Sequence, residues 1–170
     1  MSKISQHDRN YVSYEFRIAT AKNMISLGRC FAEVIRPQAM KSEKLITVGL
    51  VGPFDIGKTH FSTGLVKSFR PVTVEVLDQG AYEIETKRFG TIYHLDSLKD
   101  GDDMDIIESE EQGIAIVEHA NETFMDFHYW VEIEANEDQS RKVTIDIPLA
   151  EVDFEGTQVF LNKAQRFFMA

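Results

Sequence analysis

The stretch that decides the fold is Gly52-Pro53-Phe54-Asp55-Ile56-Gly57-Lys58-Thr59, which has the spacing G-x-x-x-x-G-K-T. This spacing is typical of a loop in which glycines let the backbone curl, so that its N–H groups point at phosphate oxygens. The apolar residues 46–51 before it predict a strand, and residues 60–69 after it predict a helix. A phosphate-binding loop requires a strand before it and a helix after it.

Several residues of this loop have an expected role in binding a nucleotide. The positive end of the following helix would face the anion. Lys58 is expected to reach the terminal phosphates, and the hydroxyl of Thr59 is expected to hold Mg²⁺. The backbone N–H of His60 is expected near the α-phosphate. The predicted nucleotide-binding residues are Gly52, Asp55, Ile56, Gly57, Lys58, Thr59 and His60.

The composition limits the classes of function. The 170 residues, of which 43% are hydrophobic, suit one domain with a core of its own. The net charge of −10 argues against a broad nucleic-acid surface, which must be basic. The single cysteine permits no internal disulfide. We expect a cytoplasmic protein with no membrane partner, because the first residues contain no apolar signal core and no apolar run reaches transmembrane length.

The pattern of apolar residues predicts an α/β chain. A helix is expected over residues 18–35, with Pro37 ending it. A short helix near the carboxyl end is expected to contain Phe160 and Phe168 and to be capped by Thr157. Further short helices are expected near residues 104–109 and 120–127. Apolar alternation or apolar runs predict strands at residues 72–76, 82–86, 91–95, 113–117, 131–135 and 143–147.

Several of these strands are joined by turns that are too short for a parallel crossover, so the sheet should be mixed. We therefore predict a P-loop NTPase-like, three-layer α/β fold whose sheet has parallel and antiparallel strands. Residues 1–15 would be a flexible lead, residues 16–150 the ATPase domain, and residues 151–170 an extension with a short helix.

Two acidic residues follow apolar strands and are candidates to complete a Mg²⁺ site. Asp96 follows residues 92–95, and Glu118 follows residues 114–117. Ligands of open α/β sheets bind beyond the carboxyl ends of the strands, so we expect both acids near Lys58. One would hold Mg²⁺, directly or through water, and the other would position the attacking water. The predicted catalytic residues are Lys58, Asp96 and Glu118, and the predicted metal ligands are Thr59, Asp96 and Glu118.

Each of these assignments has a plainer alternative. With 28 acidic residues in the chain, either acid could instead cap a helix or face the solvent. His94 and His119 flank the two acids, where they would either shuttle protons or serve as polar filler.

The order of these features resembles the TsaE (YjeE) family, small bacterial ATPases of tRNA threonylcarbamoyladenosine (t6A) biosynthesis. The likeness spans about residues 18–148. The matching segments are Leu27-Gly28 in the first helix, the loop of residues 52–59, His94-Leu95-Asp96-Ser97-Leu98, residues 114–122 around Glu118, and the hairpin of residues 131–147.

The resemblance implies a protein that binds ATP or ADP with Mg²⁺ and hydrolyses ATP slowly when it joins a TsaB–TsaD complex. Contact with tRNA would be only indirect. Gly57, Lys58, Thr59, Asp96 and Glu118 match the nucleotide site of the family residue for residue.

The chain also departs from the family pattern. The family's Ser-Pro-Thr segment after the loop helix is absent, and so is the Tyr-Arg of its histidine–aspartate element. The other departures are Pro53-Phe54-Asp55-Ile56 within the loop, His60 in place of a second threonine, Pro71-Val72-Thr73-Val74-Glu75 where the Ser-Pro-Thr segment would stand, His119 in place of a tryptophan, and an additional tail after Leu149.

These departures keep two alternatives open. The first is a nucleotide-binding interaction module that has lost turnover, since the missing segment would sense the nucleotide or the partner. The second is another small P-loop NTPase, such as a small-molecule kinase. A GTPase is disfavoured, because the nearest string to its base-reading motif, Asn162-Lys163-Ala164-Gln165, lacks the required carboxylate.

Overall fold

The computed structural model describes residues 10–78, 80–96, 112–120 and 126–168. The α-helices in these ranges are α1 (Ala21–Lys41), α2 (Lys58–Ser68) and α3 (Glu155–Phe167), and a 3-10 helix (Leu149–Glu151) leads into α3. The strands are β1 (Tyr11–Ile18), β2 (Ile46–Val51), β3 (Pro71–Asp78), β4 (Ala81–Thr86), β5 (Thr91–Leu95), β6 (Ile114–Val117), β7 (Tyr129–Ala135) and β8 (Arg141–Pro148).

The eight strands form one mixed sheet in the order β1-β8-β7-β2-β6-β5-β4-β3. The central strands β7, β2, β6 and β5 are parallel, and the strands outside them pair antiparallel. The predicted mixed α/β architecture is therefore confirmed. Because β2, β5 and β6 are parallel, their carboxyl ends lie at the same edge of the sheet.

Two apolar clusters cover the two faces of this sheet. Successive residues of a strand point to opposite faces, so Ile114 and Ile116 of β6 belong to one cluster while Ala115 and Val117 belong to the other. All three α-helices contribute to the first cluster and, within the described ranges, none contributes to the second. The short helices predicted near residues 104–109 and 120–127 lie wholly or largely outside those ranges. None of the described helices is both long and apolar enough to cross a membrane.

Helices α1 and α2 cross at a pair of glycines. A Cβ atom on Gly28 would lie 2.2 Å from the carbonyl oxygen of Phe61, and one on Gly64 would lie 1.9 Å from that of Ile25. Both distances are shorter than folded proteins allow, so the two backbones are in direct contact at this crossing. Because α2 begins at Lys58, the crossing fixes the end of the preceding loop against α1.

The prediction of a flexible lead is wrong for residues 11–15, which belong to β1. This strand pairs with β8 along its whole length, from Tyr11 opposite Pro148 to Ile18 opposite Arg141. Its even-numbered residues from Val12 to Ile18 point inward, and Phe16 and Ile18 are buried in the first cluster. As a consequence α1 begins at Ala21 rather than Ile18, with the side chain of Thr20 accepting a hydrogen bond from the N–H of Asn23.

The prediction that Pro37 ends the first helix is also wrong, because α1 continues to Lys41. A proline inside a helix lacks the N–H that would bond the carbonyl four residues earlier, here that of Glu33. At this point α3 packs so closely that a Cβ atom on Gly156 would lie 2.3 Å from the Glu33 carbonyl oxygen and 3.2 Å from the Pro37 ring. Packing between the two helices thus overrides the local signal of the proline.

The carboxyl-terminal segment is part of the main core rather than an appendage. Phe160, Leu161, Ala164 and Phe168 are buried in the cluster that contains α1 and α2. Its helix begins at Glu155, and Thr157 is buried within it, so the prediction that Thr157 caps the helix is wrong.

Candidate functional site

The loop of residues 52–59 connects β2 to α2 and has an unusual backbone. Gly57 has a φ of +124° and Asp55 a φ of +59°, values in the region that favours glycine and that aspartate tolerates better than most residues. Gly52 is required for space as well, since a Cβ atom there would lie 2.7 Å from the carbonyl oxygen of Ile133. Ile56 is buried beneath the loop. The loop is therefore a tightly held turn.

Lys58 folds back over this loop. Its Nζ atom donates hydrogen bonds to the carbonyl oxygens of Gly52, at 2.7 Å, and Pro53, at 2.6 Å. The residue is only 4% exposed although it carries a charge. No side chain caps the start of α2, whose N-cap residue is Gly57. An ammonium group and the positive end of a helix thus lie together, which is an arrangement suited to an anion.

Glu118 connects three elements at the carboxyl edge of the sheet. Its Oε1 atom accepts a hydrogen bond of 2.9 Å from the hydroxyl of Thr59 at the start of α2. Its Oε2 atom lies 2.5 Å from Nε2 of His94 in β5, with which it shares a hydrogen bond. The N–H of Glu118 donates to the carbonyl of Leu95. The acid is therefore held at both oxygens and at its backbone.

The surroundings of Glu118 favour its ionised form. Burial alone would raise the pKa of this carboxyl group, since the residue is 4% exposed. The hydrogen bond and charge of His94, the hydrogen bond from Thr59 and the positive charge of Lys58 outweigh burial and lower the pKa below its ordinary value of 4.5. Glu118 is therefore an anion at neutral pH.

This shift predicts a pH dependence of stability. Because the folded-state pKa of Glu118 is lowered, its contribution to stability is present above the ordinary value of 4.5 and is lost as the pH falls through the lowered pKa. In metal-free buffer, the melting temperature of the wild type should exceed that of Glu118→Gln at neutral pH. The difference should shrink below pH 4.5. A difference that stays constant or grows on acidification would contradict the assignment.

Both acids predicted for the site lie on the same side of the sheet as Lys58. They share a cavity of about 390 Å³ at the carboxyl edge of the parallel strands. Asp96 is exposed in this cavity, and its N–H donates to the carbonyl of Gly80. The residues that line the cavity are Phe54, Asp55, Gly57, Lys58, Thr59, His60, Asp96, Glu118 and His119.

A smaller cavity of about 150 Å³ lies on the other side of the loop and shares Asp55, Gly57 and His60 with the first. Its remaining walls come from the junction of β1 and α1, from Ile56, and from Gln139 and Arg141 of the β7–β8 hairpin. The loop is thus flanked by two depressions that share three of their lining residues.

The structure adds two contacts that the sequence analysis missed. Arg141 donates from Nε to the carbonyl of Ile56 at 3.0 Å, which anchors the loop to β8. The ring of Phe54, a residue that is 80% exposed, lies 4.6 Å from the ring of His119, whose φ is +57°. Arg141 follows the loop by more than 80 residues, so no local pattern could have indicated it. Phe54 and His119 stand at two of the noted departures from the family.

The donor set fits Mg²⁺ only together with a phosphate ligand. Across the described part of the chain, no three His, Cys, Asp or Glu side chains are arranged to hold a metal ion. Magnesium, however, usually takes only one or two carboxylates and completes its shell with phosphate oxygens and water. The hydroxyl of Thr59 and the carboxylates of Glu118 and Asp96 are oxygen donors of this kind in one cavity.

Comparisons with known proteins bear on the fold. No protein-family model matches the sequence, and no curated protein does. Among solved structures, the crystal structure of YdiB from Bacillus subtilis is similar, with a TM-score of 0.62 and 15% sequence identity. The similarity covers 94% of this chain and 98% of that chain. The protein is therefore a mixed α/β protein that shares its fold with YdiB over nearly the full length of both.

Proposed function

We propose that this protein is a P-loop ATPase of the TsaE type, with a three-layer NTPase fold. It would bind Mg²⁺-ATP at the loop of residues 52–59 and hydrolyse it slowly. The observation that carries the proposal is the cavity in which the ammonium of Lys58, the hydroxyl of Thr59 and the carboxylates of Asp96 and Glu118 meet. Phosphoryl transfer needs a cationic cradle for phosphates beside oxygen donors for a metal, and this cavity contains both.

The loop would hold the terminal phosphates. In the structure, Nζ of Lys58 donates hydrogen bonds to the carbonyls of Gly52 and Pro53. Phosphate oxygens, which carry a full charge, would be stronger acceptors than these carbonyls. The uncapped N-terminus of α2 would donate to the same anion.

Thr59, with Asp96 or Glu118, would hold Mg²⁺. When bound, this ion would neutralise the negative charge of the phosphate that is transferred. Glu118 is ionised and is held by His94 at Oε2, so its Oε1 can accept a proton or a hydrogen bond once Thr59 turns to the metal. Glu118 is therefore the proposed group that orients and activates the attacking water.

The nucleoside would occupy the smaller cavity beside the loop. Ile18, Met24 and Ile56 give this cavity an apolar wall that suits the flat face of a base. This cavity shares three lining residues with the cavity proposed for the phosphates, so one nucleotide could contact both. The choice of adenine follows from the TsaE resemblance.

The TsaE resemblance extends the proposal to t6A modification of tRNA in the cytoplasm. Hydrolysis by this protein would reset a TsaB–TsaD complex between modification cycles. The net charge of −10 agrees with a role that acts through a protein partner and touches tRNA only indirectly.

Calorimetric titration with ATP in the presence of Mg²⁺ tests the proposal. The wild type should bind ATP. Lys58→Ala should bind it about 10- to 100-fold more weakly, because a charged hydrogen-bond donor is lost. Lys67→Ala, an exposed lysine in the last turn of the same helix, is the matched control and should bind as the wild type does. Absence of ATP binding by the wild type would overturn the proposal.

One observation favours a second candidate, a nucleotide-dependent interaction module without turnover. Both oxygens of Glu118 are occupied, by Thr59 and His94, and the exposed Phe54 lies at the mouth of the site, where a protein partner could contact it. Such a module would bind ATP as the first candidate does, but its behaviour would not depend on the charge of Glu118.

A further inference from the structure

Strand β3 lies at the edge of the sheet and carries an exposed apolar row. Val72, Val74 and Val76 are 61%, 61% and 65% exposed. Val74 pairs with Ile84, which in turn pairs with Ile92, and these two isoleucines are 5% and 0% exposed. Val74, and Val76 opposite Tyr82, therefore continue the helix-side face of the sheet into the solvent, whereas Val72 lies at the register shift between Pro71 and Thr73.

The outer side of β3 has few of the features that normally block an exposed sheet edge. Such edges are usually protected by charged side chains, above all lysine, by proline within the strand, or by bulges that interrupt pairing. Glu75 is the one charged residue among residues 73–76. Pro71 is only the first residue of β3, and the two register shifts of this strand lie near its ends. Residues 73–76 pair regularly with β4 and contain no lysine or proline. Within the described ranges no further strand pairs with β3.

The opposite face of the same strand carries an excess of negative charge. Glu75 lies directly across from Glu83, and Thr73 lies across from Glu85. Like charges in directly opposed positions destabilise a strand pair. Among the described residues, neither Glu75 nor Glu83 forms an ion pair. A basic side chain on a neighbouring strand beside Glu75 would relieve this repulsion.

We propose that β3 binds an extended segment of a protein partner in which apolar and basic residues alternate, added to the sheet as a ninth strand. The apolar side chains of the segment pack along Val74 and Val76. Its basic side chains lie on the other face, beside Glu75. Backbone hydrogen bonds to the open edge supply affinity, and the alternation of side chains supplies specificity.

A second copy of this chain is a poorer occupant. β3 contains no basic residue, and two chains of net charge −10 repel each other. The added strand is also short, and a single strand buries far less than the roughly 800 Å² per partner of a stable interface. The interaction is therefore a weak and reversible one with a basic partner.

Fluorescence anisotropy with a labelled octapeptide that alternates valine and lysine tests this proposal. The wild type should bind this peptide, and a peptide with glutamate in place of lysine should bind at least about tenfold more weakly. Methylation of the amides along one edge of the lysine peptide should abolish binding, since those amides supply the backbone hydrogen bonds. Equal binding of the lysine and glutamate peptides, or of the methylated one, would overturn the proposal.

Variants of the protein locate the interaction. Val74→Lys should lower the affinity at least about tenfold, whereas Met40→Lys, which alters an equally exposed apolar residue on α1, should not. Glu75→Lys should weaken binding of the lysine peptide and strengthen binding of the glutamate peptide. Lys58→Ala should bind the peptide normally, because no residue of β3 lines the proposed nucleotide cavity, so this test is independent of the ATPase proposal. A wild-type dimer in sedimentation that Val74→Lys abolishes would assign the edge to a second copy instead.

Discussion

Replacement of Glu118 by glutamine should lower the rate of ATP hydrolysis about 100- to 10,000-fold, the range for loss of a general base. Glutamine keeps the size of the side chain and one acceptor oxygen, but it carries no negative charge and cannot take a proton from water. Binding of ATP should change little, because in the proposed site the phosphates would contact Lys58 and the loop rather than Glu118. Single-turnover release of phosphate, measured with a TsaB–TsaD pair present, gives the rate, and calorimetry gives the affinity.

Two further variants make this result specific. Glu43→Gln changes an exposed acid that precedes β2, at the opposite end of that strand from the loop of residues 52–59, and should hydrolyse ATP at the wild-type rate. His94→Gln keeps a hydrogen-bond donor near Oε2 of Glu118, so it should retain more activity than His94→Ala. If Glu118→Gln behaves as the wild type does, Glu118 is not the catalytic base. If in addition the wild type shows no hydrolysis with any partner, the interaction module without turnover is the better account.

Substitution of Gly64 by alanine should destabilise the fold by about 2 kcal/mol. The added methyl group would lie 1.9 Å from the carbonyl oxygen of Ile25, so α1 and α2 would have to move apart. Overpacking of this kind costs roughly 1–3 kcal/mol, and a clash with backbone atoms lies at the upper end of that range; the better helix propensity of alanine offsets up to about 1 kcal/mol. For a chain of this size we expect the melting temperature to fall by about 4–8 °C.

The partner glycine and a surface position provide the comparison. The methyl group added by Gly28→Ala would meet the carbonyl oxygen of Phe61 at the same crossing. The double variant should therefore lose less stability than the sum of the losses of the two single variants. Lys67→Ala, on the exposed side of α2, should leave the melting temperature nearly unchanged. A melting temperature for Gly64→Ala equal to that of the wild type would show that the two helices are not in contact at this crossing.

That Lys58, Asp96 and Glu118 lie close together could be predicted, because the position of each residue follows from the local sequence just before it. Each residue comes directly after a loop or strand that the apolar pattern indicates, and parallel strands bring their carboxyl ends to one edge. That rule places the two acids on the same side as Lys58, whereas the adjacency of β2, β6 and β5, which brings the three side chains together, is seen only in the folded sheet. Their roles in catalysis remain proposals.

Other parts of the fold depend on contacts that the sequence does not indicate locally. Helix α1 passes through Pro37 because Gly156 packs against it, and the loop is anchored by Arg141 from a distant hairpin. The role of His94 depends on the register of β5 against β6, which brings it to Glu118. Strand β1 is different, since Val12, Tyr14, Phe16 and Ile18 alternate with polar residues and could have been recognised as a strand.

The anchoring of the loop by Arg141 has a consequence for biosynthesis. The ribosome synthesises residues 52–59 early. The carbonyl of Ile56, however, can accept its hydrogen bond from Arg141 only after the start of β8 has been translated. The first of the described strands, β1, likewise cannot pair until β8 is made, and the N–H of Arg17 cannot bond the carbonyl of Phe168 until the end of α3 is made. Such distant pairings slow folding, since a long intervening chain must be closed first. A nascent chain therefore contains the whole loop of residues 52–59 well before that loop can reach its final shape.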